Sequence, residues 1–167
     1  MINIKIRNRI FILLLFVFLF LQVTFISQLF FDNYIPNIVF TLLLAASALD
    51  NRSVNIFYAA FFTGFVLDIF SGNYFGPVIV GVLFAIFISS YLNYYFLKEL
   101  FSYNLFLISS FAVLAYNAIC IFLINISDLQ QIFSNLKQFL LIIVFQIIYT
   151  VILIYPLTCI LSRRTCK

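Results

Sequence analysis

The chain has 167 residues, of which 66% are hydrophobic and only 8% charged, with a net charge of +4. A mean hydropathy of +1.22 excludes an ordinary water-soluble domain, and runs such as "IFILLLFVFLFLQVTFISQLFF" at residues 10–31 are apolar on every side. Lipid-embedded barrels alternate polar and apolar residues, so these runs read as helices, which satisfy their backbone groups internally, and the expected fold class is all-α.

In chain order, six hydrophobic segments read as a single integral membrane domain over residues 1–167: residues 10–31, 36–49, 54–70, 77–97, 105–126 and 139–161. At ~1.5 Å of rise per residue, ~20 residues cross the hydrocarbon core. The first, fourth, fifth and sixth segments are long enough alone. The second and third are short, and read either as two thin spans or as a re-entrant hairpin. The connecting "DNRS" at residues 50–53 favours two spans, because a hairpin would hold Asp50 and Arg52 near the bilayer centre at ~2.5–3.5 kcal/mol each. The basic start "MINIKIRNRI" followed by a long apolar run without a small-residue cleavage site reads as an uncleaved first span. With six spans, Lys5, Arg7, Arg9, Arg52, Lys98, Arg163, Arg164 and Lys167 fall on one side and Lys137 on the other. The positive-inside rule makes the first side cytoplasmic and puts both termini there. Tyr34 and Tyr74 fall near the outer interface, and Tyr91, Tyr94 and Tyr95 near the inner one. The longest loop, "SDLQQIFSNLKQ" at residues 127–138, has capping-box spacing at Ser127 and Gln130 and apolar residues at Leu129, Ile132, Phe133 and Leu136. It reads as an amphipathic turn that opens span six, or as a surface helix for a partner.

Little in the chain suits catalysis. There is no histidine, and the five carboxylates, Asp32, Asp50, Asp68, Glu99 and Asp128, are not paired, whereas general acid–base chemistry wants titratable groups in mutual reach. Cys120 and Cys159 lie in apolar runs and read as small core residues. No metal or cofactor is expected, and nucleic acid is not an expected partner, since the positive charge has its explanation in topology. Asp68 alone lies inside a span, roughly 21 Å from the start of its segment and so in the outer part of the bilayer. The neutral polar residues within spans, including Gln22, Thr24, Gln28, Asn37, Thr63, Asn93, Asn117 and Gln146, read as interhelical hydrogen-bonding groups.

The most informative stretch is "GFVLDIFSGNYFG" at residues 64–76. Gly64, Asp68 and Gly72 recur at every fourth residue and share one helix stripe, where glycine lets a second backbone approach. Ser71, Gly72, Gly76 and Pro77 then supply turn chemistry, with Pro77 suited to the first turn of the next helix. From the residues alone, Asp68 has three open roles: it is protonated, it accepts backbone N–H groups of the 71–76 turn, or it pairs with a cation on another protein.

The spaced set G-F-x-x-D-x-x-S-G-x-x-x-G, together with "LQ" at residues 21–22, "PN" at 36–37, six short-looped segments and the chain length, resembles MreD, the membrane subunit of the bacterial rod-shape (elongasome) complex. The resemblance is specific over residues 20–85 and extends to the rest in layout. It implies a non-enzymatic scaffold in the bacterial cytoplasmic membrane that organises lateral peptidoglycan synthesis and cell shape with MreC, RodA, the penicillin-binding transpeptidase and the MreB filament. It also implies that Gly64, Asp68, Ser71, Gly72 and Gly76 form a partner contact or a structural turn. The implied fold is similar to the substrate-binding subunits of energy-coupling-factor (ECF) vitamin transporters, which makes a small-molecule carrier the alternative function. Such carriers dock their partner through small residues of span one, and residues 10–31 contain neither alanine nor glycine.

Overall fold

The computed structural model describes residues 4–26, 37–49, 54–71, 75–96, 101–124 and 136–162, and all its regular elements are helical. Helix α1 (Ile4–Leu21) runs into a π-helical turn (Gln22–Ile26), followed by α2 (Ile38–Leu49), α3 (Val54–Ser71), α4 (Pro77–Phe96), α5 (Phe101–Ile124) and α6 (Leu136–Ser162). Four of these, α3 to α6, are long and apolar enough to cross a membrane, and the chain is a multi-pass membrane protein by that measure.

Helix α2 is the centre of the molecule. Its sequence "IVFTLLLAASAL" is apolar around the whole circumference, the pattern of a helix with no solvent face. Val39, Phe40, Leu42, Leu43 and Ala45 are all 0% exposed, and α2 packs against each of the other five helices. Around it, α3 packs on α4, α4 on α5, α5 on α6 and α6 on α1; a contact between Phe16 of α1 and Phe62 of α3, ring centroids 6.2 Å apart, closes the ring. The outer faces of this ring carry Phe61, Phe84, Phe87, Phe111, Phe122, Phe145 and Ile152, all exposed. Such a surface would associate in water, and lipid is its natural covering.

Two expectations about segment length change. The third segment forms an 18-residue helix that is long enough to span, whereas α2, at 12 residues and therefore ~18 Å, is not. In the first segment the apolar helical stretch among the described residues is Phe11–Thr24, which also falls short. The "DNRS" connection, Tyr34 and Tyr74 lie outside the described residues. So do residues 127–135 of the longest loop, whose last three residues open α6. Tyr91, Tyr94 and Tyr95 form an exposed cluster near the end of α4, with ring centroids 4.7 and 5.2 Å apart. Cys120 is a buried free thiol. Cys159 is half-buried and disulfide-bonded, so it is not the simple core thiol that its apolar run suggests.

Candidate functional site

The junction of α3 and α4 begins with an electrostatic problem set by sequence. A helix leaves its first N–H groups without intrahelical partners, and a side chain at the N-cap commonly accepts one of them. Helix α4 opens with Gly76 and Pro77: glycine has no side chain to cap with, and proline has no N–H to be capped. Asp68, one turn before the end of α3 and 3% exposed, supplies what is missing. Its Oδ2 accepts the N–H groups of Gly76 (3.2 Å) and Ile79 (3.0 Å), and its Oδ1 accepts that of Val78 (3.1 Å). The N–H of Val80 turns back to the Gly76 carbonyl at 3.0 Å. Every N–H of this helix start therefore has an acceptor. A carboxylate at the positive end of the helix dipole adds a further favourable interaction.

Gly64 makes this cap reachable. It lies one turn before Asp68 on the same stripe, and a Cβ built on it would come within 2.8 Å of the Ile79 Cα. Only glycine lets the first turn of α4 press against α3 closely enough to bring the Ile79 N–H onto Asp68. Gly76 has a φ of +120°, a backbone conformation that side-chain-bearing residues rarely adopt. Ser71 is exposed and its hydroxyl donates to the Asp68 carbonyl at 2.9 Å. Phe65 and Phe75 meet edge to face at 5.4 Å across the connection. Gly72 lies outside the described residues. Of the five residues singled out in sequence, the structure thus brings Gly64, Asp68, Ser71 and Gly76 to one joint, and the backbone that fills the glycine seam belongs to α4 of the same chain.

A second capped helix start lies at the same end of the bundle. Asn37 precedes α2, and its Oδ1 accepts the Phe40 N–H at 3.0 Å, three residues on. Gln22, in the π-helical turn, reaches across: its Oε1 accepts the Val39 N–H at 3.1 Å, and its Nε2 donates to Asn37 Oδ1 at 3.1 Å. Both side chains are buried. The Asn37 N–H donates to the Tyr149 hydroxyl of α6, and its Nδ2 to the Tyr116 hydroxyl of α5 at 3.4 Å. Within the same π-helical turn, Thr24 donates its hydroxyl to the Phe20 carbonyl at 2.7 Å.

One turn of α5 joins the two caps. Tyr116 stacks on Phe40 of α2 with centroids 4.7 Å apart, and Cys120, four residues on, donates its thiol to the Pro77 carbonyl of α4 at 3.5 Å. Gly81 of α4 leaves room for both: a Cβ there would lie 2.8 Å from Cys120 Sγ and 3.1 Å from the Tyr116 ring.

No protein-family model, no curated protein and no solved structure matches this chain. Its own residues therefore carry the functional assignment. Gln22 and Asn37 were visible in sequence as polar residues within spans, but their convergence 15 positions apart was not. Tyr116 and Tyr149 carry no sequence signal that separates them from lipid-facing tyrosines. Gly81 had one: it is among only four glycines in the chain, and the other three all lie in the 64–76 stretch.

Proposed function

We propose that this chain is a non-enzymatic scaffold of the MreD type, with six membrane segments, seated in a bacterial cytoplasmic membrane with both termini in the cytoplasm. In this role it works with MreC, RodA, a penicillin-binding transpeptidase and the MreB filament in lateral wall synthesis and cell shape. The observation that carries the proposal is the spaced motif of residues 64–76 with its companions "LQ" and "PN". Its support from the fold is that Gln22, Asn37, Gly64, Asp68 and Gly76 each have a position-specific task at a helix start, as expected of residues that specify an architecture. Because α4 of the same chain occupies the Gly64–Asp68 seam, this reading assigns a partner helix such as that of MreC to the outward apolar faces of the ring.

The test is co-purification. A tagged copy expressed beside the MreC-like protein of its own genome should retain it through detergent extraction, and depletion of the chain should round rod-shaped cells. Normal rods after depletion, with no MreC-like protein recovered, reject the proposal. An MreC-like or transpeptidase gene beside this one is the cheapest supporting observation. A vitamin carrier, the alternative, would instead hold a small ligand detectable by native mass spectrometry of the purified chain. Orientation is tested by a C-terminal reporter, which should stay cytoplasmic. The charge distribution argues for that side.

A further inference from the structure

Helix α6 carries an unmet hydrogen bond, independent of the scaffold reading, on the face it turns away from the other helices. Pro156 lies inside the helix, and it has no N–H to give to the carbonyl of Ile152, four residues earlier. In lipid such a freed carbonyl is met by a serine or threonine hydroxyl, by water or by a neighbouring helix. The two threonines of α6 are committed elsewhere: Thr150 donates to the Gln146 carbonyl at 2.6 Å, and Thr158 to the Tyr155 carbonyl at 2.8 Å. Ile152 is 65% exposed and Pro156 is exposed beside it, so no other described helix of this chain covers the turn.

The same turn holds the matching donor. Tyr155 is 53% exposed, and its hydroxyl makes no hydrogen bond among the described residues. Ile152 lies ~4.5 Å from it along the axis toward the helix N-terminus, the direction in which helical side chains lean. The hydroxyl is therefore carried toward the level of the bare carbonyl, away from the helix end at Ser162 and into the apolar stretch Phe139–Leu161. Both groups sit on one exposed stripe, Leu141, Phe145, Ile148, Ile152 and Tyr155, whose steps alternate between four and three residues, the seam of two helices packed side by side. An apolar stripe alone is answered by lipid. A donor and an acceptor held a turn apart within it are not.

We propose that this stripe is the interface of a homodimer, in which α6 packs in parallel against α6 of a second copy of the chain. Copies in one membrane share an orientation, so a two-fold axis along the bilayer normal sets equivalent residues of the two helices opposite each other. With the axes about 8–10 Å apart, each Tyr155 hydroxyl donates to the carbonyl of Ile152 of the partner subunit, and symmetry forms the bond twice. The occupant is a second copy because the stripe carries both halves of that bond. A helix of other sequence would have to bring its own donor for the carbonyl and its own acceptor for the hydroxyl.

The test is sedimentation equilibrium of the full chain in a density-matched detergent. The wild-type chain should move from 19.4 kDa toward twice that mass as its concentration in the micelles rises. Tyr155→Phe removes both donors of the dimer and should weaken it about tenfold, as expected for two interhelical bonds of the modest strength found in lipid. Pro156→Ala returns an N–H to the Ile152 carbonyl and should weaken the dimer to a similar extent. The double variant should lose no more than either alone, since both changes remove the same bond. Phe111→Leu, on the exposed face of α5, should leave association unchanged. A chain that stays monomeric at every detergent ratio overturns the proposal, as does a dimer that Tyr155→Phe and Pro156→Ala leave intact or weaken additively.

Discussion

At the residue scale, Asp68 shows how one side chain can complete a helix to which it does not belong. Three N–H groups converge on its two oxygens. Asp68→Asn keeps the size and one acceptor oxygen but turns an NH₂ toward donors, so at least one buried N–H loses its partner. Hydrogen bonds to charged groups contribute about 1.5–3 kcal/mol, and an orphaned buried donor costs a similar amount. The expected loss is therefore about 2–3 kcal/mol, read as a lower thermal midpoint of the detergent-solubilised chain; an unchanged midpoint would mean the cap is not structural. The neighbouring Gly64→Ala should cost about 1–3 kcal/mol, because its new methyl group meets the Ile79 Cα and not a flexible side-chain tip. Gly76→Ala meets no neighbouring atom and should lose about 1–2 kcal/mol from backbone strain alone. A double substitution of Gly64 and Asp68 should cost less than the sum of the two, since displacing α4 already breaks the cap; strict additivity would show that the close approach and the cap are separate devices.

At the element scale, α2 is the unusual part. A helix ~18 Å long with its circumference buried cannot meet lipid or water along its sides. Its stability rests on the ring around it and on the capping of its first turn by Gln22 and Asn37. Phe40, fully buried and stacked on Tyr116, is the residue where both supports meet. Phe40→Ala should destabilise the chain by about 3–5 kcal/mol, whereas Phe87→Ala or Phe111→Ala on the exposed face should change stability by far less. Comparison of the three midpoints in one detergent checks this, and equal losses would contradict the central placement of α2. The outline of six helical segments is legible in the sequence from length and apolarity. Their ranking is not. Periodicity cannot distinguish a helix apolar all round because it is buried in protein from one apolar all round because lipid surrounds it.

At the scale of the whole molecule, the same logic sets the pattern of opening. Segments at the rim of a fold exchange their amides at low cost, while the most enclosed segments exchange only on global opening. Amide exchange measured by mass spectrometry in a lipid nanodisc should therefore be slowest in peptides covering 38–49. It should be faster in peptides from α1, whose outer residues Leu13, Phe16, Val17 and Phe20 are exposed. Faster exchange in α2 than in α1 would show that the short helix is a re-entrant element open to water.

Composition and apolar run length were sufficient to establish a helical membrane protein, because lipid leaves the backbone no other economical arrangement. The spacing of Gly64, Asp68 and Gly76 was likewise enough to mark a helix junction, since glycine, proline and a single acid in so apolar a chain have few other uses. What the linear chain left open was the partner of each group. Whether Asp68 served a turn, a proton or another protein, and whether the glycine seam took this chain's helix or a foreign one, depended on where α4 lies in space. The pairing of Gln22 with Asn37, the bridge through Tyr116 and Cys120, and the hydrogen bond from Asn93 to the Ser47 carbonyl belong to the same class. Each joins residues 15 or more positions apart, and local preferences of the backbone carry no information about contacts over that separation.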